Sequence, residues 1–171
     1  MADMRSSERR VVCPGSFDPL TLGHVDLVRR ATTLFDRVIL AVLVNDEKAP
    51  LLSKTERVAL AREVFAGMPQ VEVDTYDGLL VDYAARRGAI AIVRGVRSAV
   101  DLEYEWPMRL MNHYLQPSID TVFLPTAAAL AHVSSRLVKE VWRLGGEVGG
   151  LVPPEVEARL RALRGEHAPA R

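Results

Sequence analysis

Short runs of β-branched and apolar residues alternate with segments of helical spacing along most of the chain, and this alternation restricts the fold more than any other feature. Five strands are predicted, over 11–13, 37–44, 71–75, 89–93 and 121–124. The second is almost entirely apolar, as in a parallel sheet that is covered by helices on both faces. The pattern predicts an α/β fold, a Rossmann-like doubly wound five-stranded parallel sheet with helices on both faces.

The predicted helices fill the segments between the strands and the end of the chain. They lie over 23–34, 53–66, 79–87, 99–115 and 134–144. The second of them begins with Ser53 and carries Glu56 three residues later, which is the pattern of a capping box. A C-terminal helix is predicted after Pro153–Pro154, and its apolar stripe suits packing either on its own domain or on a partner subunit.

Size and composition place the chain among single-domain globular proteins. It has 171 residues, with 22 basic and 22 acidic side chains, and this balance excludes the broad basic surface of a general nucleic-acid-binding protein. The single Cys13 cannot form an intramolecular disulfide, and no apolar run approaches the roughly 20 residues that span a bilayer. We expect one domain over 1–171, disorder over 1–9 and 165–171, a cytoplasmic location, no nucleic-acid partner and no membrane association.

The turns that follow strands are the candidate sites, because such a sheet binds ligands beyond the carboxyl ends of its strands. The turn after the first strand carries Gly15, Gly23 and His24 ahead of a helix, whose free N–H groups and dipole favour an anion. Neither G-x-G-x-x-G after the first strand nor G-x-x-x-x-G-K-[ST] is present, which counts against dinucleotide dehydrogenases and P-loop NTPases. The alternative is an ordinary turn with a solvent-facing histidine.

The segment 14–24, Pro-Gly-Ser-Phe-Asp-Pro-Leu-Thr-Leu-Gly-His, resembles the signature of the nucleotidyltransferase superfamily with an (H/T)-x-G-H motif. Three further stretches, 94–97, 101–105 and 133–140, resemble one family within it, the bacterial phosphopantetheine adenylyltransferases, and the resemblance covers about 11–160. It implies transfer of the adenylyl group of ATP to 4′-phosphopantetheine, which gives dephospho-coenzyme A and pyrophosphate in coenzyme A biosynthesis.

The same resemblance implies a role for each matching residue. His24 would stabilise the transition state, and the residues that bind 4′-phosphopantetheine would be Ser16, Lys48, Leu80 and Arg94. The ATP-binding residues would be Ser16, Phe17, His24, Gly95, Val96, Arg97, Glu105, Leu130, Ala131, His132, Val133, Ser134, Ser135 and Arg136. Mg²⁺ is expected with ATP and not on a protein site, because the four histidines lack metal-ligand spacing.

Several of these residues also have simpler explanations. Leu80 fits a core-facing position on a helix, and Lys48 fits a solvated loop. Asp101 fits a helix N-terminus, where the dipole favours an acid, and Ser134 fits an N-cap.

Two alternatives to the proposed activity stay open at this point. One is another adenylyl- or cytidylyltransferase of the superfamily, acting on nicotinamide mononucleotide or glycerol phosphate. The other is a non-catalytic nucleotide-binding module, which the segment 130–136 favours, because Arg136 stands where the family usually has a third Ser or Thr. The resemblance further implies a homo-oligomer, usually a hexamer, and feedback by coenzyme A.

Overall fold

Strands and helices alternate along the chain, as the apolar pattern predicts. The computed structural model describes residues 8–44 and 50–166. Its strands are β1 (Arg10–Gly15), β2 (Arg37–Leu43), β3 (Val71–Tyr76), β4 (Ala91–Val96) and β5 (Asp120–Pro125). Its α-helices are α1 (Leu22–Leu34), α2 (Lys54–Val64), α3 (Leu80–Arg86), α4 (Ala99–Leu115), α5 (Ser135–Arg143) and α6 (Pro154–Glu166), with a short 3-10 turn at Ala128–Leu130.

All strand pairs in the sheet are parallel, and the strand order is β3-β2-β1-β4-β5. The chain runs outward from β1 to β3 and then crosses to the other side of β1, so the strand order reverses between β1 and β4. Six residues of β1 pair with β2, whereas only Val11 and Val12 pair with β4. Beyond Val12 the two central strands therefore separate, and a crevice opens at their carboxyl ends. The predicted doubly wound fold is confirmed.

The core lies on both faces of the sheet, and β2 contributes to each. Val38, Leu40 and Val42 belong to one apolar cluster, while Ile39 and Ala41 belong to the other. All five are fully buried. The apolar run therefore lies where the sequence places it, in a strand with helices on either side. Among the described helices, none combines the length and the hydropathy of a membrane-spanning segment.

Local side-chain contacts define the helix starts. Ser53 and Glu56 form the predicted capping box at α2, with each side chain accepting from the other residue's backbone N–H. Ser134 caps α5 by accepting from the Leu137 N–H. These helix starts were predictable because each contact joins residues only three positions apart.

The C-terminal helix α6 packs on its own domain. Val156 and Leu160 are buried in the same cluster as Val38, Leu40 and Val42 of β2. The Trp142 indole N–H donates to the Leu160 carbonyl at 3.0 Å, and Arg159 pairs with Glu56 of α2 at 2.7 Å. Of the two packing arrangements open at the level of sequence, the structure therefore shows the intramolecular one.

Four strands extend beyond their predicted bounds, and β1 and β4 gain the most residues. β4 covers Ala91–Val96 and not 89–93, because Arg94, Gly95 and Val96 pair with β5 residues that lie far along the chain. β1 continues to Gly15, although Pro14 was predicted to start the turn. A proline is tolerated there because its nitrogen, like its carbonyl, faces β4, and no ladder bond from an N–H is made to β4 after the strands have separated.

The described chain includes parts of both segments that were predicted to be disordered. Arg9 donates its backbone N–H and its guanidinium to Asp36, just before β2. Helix α6 continues through Glu166. Residues 1–7 and 167–171 lie outside the described chain.

Candidate active site

A cavity of about 550 Å³ occupies the crevice where β1 and β4 separate. It is formed by the end of β1, the following turn, the first turns of α1, α4 and α5, and the carboxyl ends of β4 and β5. This is the position at which an open α/β sheet binds its ligands. The predicted site residues that line it are Ser16, Phe17, His24, Arg94, Gly95, Arg97, Glu105, Val133, Ser134 and Ser135.

The remaining predicted site residues do not line this cavity. Leu80 begins α3 and packs against the apolar cluster of Ile39 and Ala41, which is the core-facing position that sequence spacing also allowed. Val96 ends β4, and the others, Leu130, Ala131, His132 and Arg136, lie before or on the first turn of α5. Lys48 lies outside the described residues. The binding roles of these residues stay predictions.

The ring of His24 is held in one tautomer by the start of α1. The Thr21 backbone N–H donates to Nδ1 at 3.0 Å, and because an amide can only donate, Nδ1 carries no proton. Burial, followed by the positive charges of Arg94 and Arg97, lowers the pKa of His24 to about 4. At neutral pH the ring is therefore uncharged and keeps Nε2–H as its donor. The alternative of a freely solvated histidine does not describe this ring.

The turn before α1 is shaped by close packing. Phe17 has a left-handed backbone with φ of 49°, and its ring lies edge-on to His24 with centroids 5.0 Å apart. A Cβ at Gly15 would come within 2.9 Å of the Phe17 ring, so this position requires glycine. The buried Arg57 of α2 donates to the Ser16 carbonyl at 2.7 Å. These contacts fix the backbone that carries Ser16 and His24.

Gly23 leaves the start of α1 open to a ligand. A Cβ there would make only ordinary contacts, 3.6 Å to Thr21 Oγ1 and 3.9 Å to the Val133 carbonyl, so the protein itself would accommodate an alanine. Gly23 lines the cavity, and among the described residues no acceptor is placed on its N–H. Bare backbone at a helix N-terminus is suited to an anion.

Two arginines at the end of β4 are each held by a carboxylate of α4. Arg94 donates through Nε to Glu105 at 2.9 Å, through Nη2 to the same carboxylate, and through Nη1 to the Pro14 carbonyl at 2.9 Å. Arg97 donates to Asp101 through Nε at 2.8 Å and Nη2 at 3.0 Å. These hydrogen bonds lower the pKa of Asp101, which stays ionised. Both guanidinium groups are therefore oriented before any ligand arrives.

The first turn of α5 completes the cavity wall. Ser135 donates its hydroxyl to the Pro19 carbonyl at 2.8 Å, and Ser134 is the N-cap. Residues at the start of this helix line the same cavity as residues at the start of α1, and a helix N-terminus offers free backbone N–H groups and the positive end of the helix dipole. Two helix N-termini and two arginines thus converge on one space, in a chain whose formal net charge is zero.

The described residues contain no group of three or more metal-ligating side chains. The cavity carboxylates, Asp101 and Glu105, are both engaged by arginines. This donor set could add at most one or two carboxylate ligands to a cation that already carries phosphate and water oxygens, which is how Mg²⁺ usually binds.

Sequence reasoning missed several residues of this site. Asp101 was considered only as a helix-terminal acid, whereas its carboxylate also pairs with Arg97, which precedes the N-cap Ser98. Glu105 was predicted as a nucleotide-binding residue, and that role stays a prediction; what the sequence did not indicate is its pair with Arg94. Thr126 and Tyr104 also line the cavity. Thr126 could have been found, because it directly follows β5 and so lies at the binding edge of the sheet.

The neutral state of His24 is testable by NMR. In the folded protein the ring is expected to remain an Nε2–H tautomer at about pH 5.5, whereas in the urea-unfolded chain it titrates near 6.5. The unfolded state then binds more protons between the two pKa values, so this contribution to stability is complete above about pH 6.5 and is lost as the pH falls toward 4. An imidazolium signal from the folded protein at about pH 5.5 would contradict the assigned tautomer and charge.

Known proteins are similar to this chain over most of its length. Residues 12–141 match the family model described as cytidylyltransferase-like. The chain is 54% identical over 159 residues to the phosphopantetheine adenylyltransferase of Kocuria rhizophila, covering 92% of this chain and 99% of the relative. It is 48% identical over 152 residues to that of Caldanaerobacter subterraneus subsp. tengcongensis, covering 89% and 95%.

A solved structure supports the fold. The model superimposes on a putative nicotinate-nucleotide adenylyltransferase from Vibrio parahaemolyticus with a TM-score of 0.65, covering 90% of this chain and 99% of that one. At 14% sequence identity this likeness shows the fold alone. The sequence relatives are far more similar and are covered almost completely. The chain therefore belongs to the phosphopantetheine adenylyltransferase family.

Proposed function

We propose that this protein transfers the adenylyl group of ATP to 4′-phosphopantetheine and releases dephospho-coenzyme A and pyrophosphate. The observation that carries the proposal is one cavity that holds a neutral histidine, two oriented arginines and two helix N-termini. The relatives at 48–54% identity are named for this acceptor and this transfer. The chain is accordingly an enzyme of the nucleotidyltransferase class.

The reaction requires alignment more than activation. A phosphate oxygen of the acceptor forms a bond to the α-phosphorus of ATP as the bond from that phosphorus to the bridging oxygen of pyrophosphate breaks. The attacking oxygen is already anionic, so no serine or cysteine nucleophile is needed and no proton has to be removed from it. What the protein must supply is the positioning of two mutually repelling anions and the stabilisation of charge on the transferred group.

His24 is proposed to donate Nε2–H to a non-bridging α-phosphoryl oxygen in the transition state. The ring suits this role because its tautomer is fixed by Thr21 and its pKa of about 4 leaves it uncharged at neutral pH before the substrates bind. The Gly23 N–H at the start of α1 is placed to add a second donor. Donors arranged in advance at a developing charge are typically worth about 3 kcal/mol each.

The arginines are proposed to divide the two substrates between them. Arg94 holds the phosphate of phosphopantetheine, together with Lys48, and Ser16 lies between the substrates. Three of the five N–H groups of Arg94 are engaged by Glu105 and Pro14, which leaves two for a phosphate. Arg97 and the start of α5 at Ser134 and Ser135 hold the β- and γ-phosphates.

Mg²⁺ is proposed to enter as part of MgATP. Its ligands would then be chiefly phosphate oxygens and water. Of the residues that line the cavity, Asp101 and Glu105 are the carboxylates that could add a ligand. The metal neutralises triphosphate charge, while the residues of the chain bind and orient the phosphates. A cytoplasmic location and feedback by coenzyme A stay predictions from the resemblance.

The activity is tested by following pyrophosphate release with different substrate pairs. ATP with 4′-phosphopantetheine is expected to react, whereas ATP with nicotinamide mononucleotide and CTP with glycerol phosphate are not. Binding of ATP without pyrophosphate release from any pair would instead identify a non-catalytic nucleotide-binding module. Turnover with a rival pair alone would assign the chain to another reaction of the superfamily.

Replacement of His24 by alanine tests the assigned donor. The variant is expected to lose about a hundredfold or more in kcat, because a transition-state hydrogen bond is removed while binding groups remain. Arg29→Ala, an exposed substitution on the same helix, is the matched control and should retain turnover. If His24→Ala stays within about tenfold of the parent enzyme, the role of His24 is wrong.

We also propose that the protein is a homo-oligomer that uses the outer face of α4. This helix has 17 residues and buries only Asn112. Met108, Met111, Tyr104 and Tyr114 are all exposed, the two tyrosines by more than 80%. An apolar surface of this extent on a soluble domain marks a protein interface, and the continuous apolar face suits a second copy of the same chain.

Light scattering tests the oligomer. The hexamer implied by the resemblance would have six times the 18.9 kDa mass of one chain. Met111→Glu is expected to lower the measured mass, because a buried unpaired carboxylate at an interface is costly. Leu144→Glu, at a position that is 83% exposed away from α4, is the control and should leave it unchanged. A monomeric wild-type protein, or a Met111→Glu variant of wild-type mass, would contradict the proposal.

A further inference from the structure

A buried carboxylate joins three separate segments around the cavity. Asp18 is 1% exposed and lies in the turn between Ser16 and His24. Its Oδ1 accepts from the Leu52 N–H at 2.8 Å, and its Oδ2 accepts from the Leu51 N–H at 2.9 Å. Oδ2 also accepts from Lys139 Nζ of α5 at 3.1 Å. Charge-assisted hydrogen bonds of this kind are stronger than neutral ones.

Helix α5 contacts two adjacent residues of the turn, Asp18 and Pro19. Ser135 and Lys139 are four positions apart and therefore lie on the same face of the helix. Ser135 donates to the Pro19 carbonyl, while Lys139 pairs with the Asp18 side chain. Lys139 is itself largely buried, with 15% of its side chain exposed. The position of the α5 N-terminus relative to the His24 turn is therefore fixed by two contacts.

The Leu51 and Leu52 contacts tie the turn to the segment between β2 and α2. Leu52 is fully buried in the apolar cluster that contains Val38 and Leu40, so its side chain packs in the core while its N–H holds Asp18. Arg57, one turn into α2, adds a second tie through the Ser16 carbonyl. The turn that carries His24 is thus held by contacts from both α2 and α5.

We propose that Asp18 and Lys139 are positioning residues that set the two halves of the active site in register. One half is the His24 turn with the segment that leads into α2, and the other is the start of α5 with Ser134 and Ser135. Asp18 and Lys139 are both absent from the cavity wall, so they are proposed to act through the segments that they hold and not by contact with substrate. The inference rests on the proposed function, because the relative position of the two halves matters only if the acceptor phosphate has to be aligned with the α-phosphate of ATP.

This register predicts a particular kinetic pattern. When the Asp18–Lys139 pair is broken, Arg94 and Arg97 keep their own contacts with Glu105 and Asp101, so the groups proposed to bind most of the phosphate charge stay in place and each substrate still binds. The alignment of the attacking oxygen, the α-phosphorus and the leaving group is lost, and misplacement by about 1 Å can cost about a hundredfold in rate. A loss confined to kcat is therefore expected, with both KM values nearly unchanged.

The test uses Lys139→Met, which keeps the length and apolar stem of the side chain but removes its charge. At a temperature where it is fully folded, kcat is expected to fall by about tenfold or more, with KM for ATP and phosphopantetheine within about threefold. Lys139→Arg, which restores a cation, should recover part of kcat. Arg159→Met breaks the α6–α2 ion pair with Glu56, away from the cavity, and should leave kcat unchanged.

A wild-type kcat for Lys139→Met would overturn the proposal. A rise in KM for ATP without loss of kcat would also overturn it, because the pair would then serve ATP binding alone. If Lys139→Met does not fold, Lys139→Gln provides the decision by the same kinetic criterion, since its uncharged amide can still donate to the Asp18 carboxylate and leaves the Leu51 and Leu52 contacts of Asp18 in place.

Hydrogen exchange separates this inference from the proposed function. The Leu51 and Leu52 amides are expected to exchange slowly in the wild-type protein and faster in Lys139→Met, even without substrate. Absence of pyrophosphate release by the wild-type enzyme would contradict the proposed function. Unchanged exchange of both amides together with wild-type kcat in the variant would contradict the positioning role alone.

Discussion

The structure depends on the separation of two neighbouring parallel strands. β1 and β4 pair at Val11 and Val12 and then diverge, although both continue for several residues. The space between them cannot be left as unpaired backbone, since a buried unpaired carbonyl or N–H is costly. Arg94 spans it by donating from β4 to the Pro14 carbonyl of β1. Arg94 therefore pairs the carbonyl that the strand separation leaves without a ladder partner, and it also lines the cavity.

A neutral chain can thus form a site for two highly charged substrates. Among the described residues that line the cavity, the positive charge belongs to Arg94 and Arg97, and each is paired with a carboxylate of α4. The remaining attraction for phosphate comes from helix N-termini and from a histidine without charge. Uncharged donors have an advantage here, because they stabilise a developing negative charge without holding the product phosphates by full ionic attraction.

Local patterns in the sequence predicted most of the fold. The five strands, the capping box at Ser53 and the N-cap at Ser134 all depend on neighbouring residues, and all are present. The end of β4 was misplaced because its last residues are a strand only by virtue of pairing with β5. The same limit applies to the site. His24 and the arginines were identified from motifs, whereas the Arg94–Glu105 pair and the Asp18 contacts join residues 11 to 121 positions apart and leave no periodic signal.

The central claim is that the crevice between β1 and β4 aligns the acceptor phosphate with the α-phosphorus of ATP under the Nε2–H of His24. A crystal structure with 4′-phosphopantetheine and a non-hydrolysable ATP analogue tests it most directly. His24 Nε2 is expected within about 3.2 Å of an α-phosphoryl oxygen, with the acceptor phosphate on Arg94. A triphosphate bound outside this cavity, or an α-phosphate in contact with other donors while His24 faces away, would contradict it.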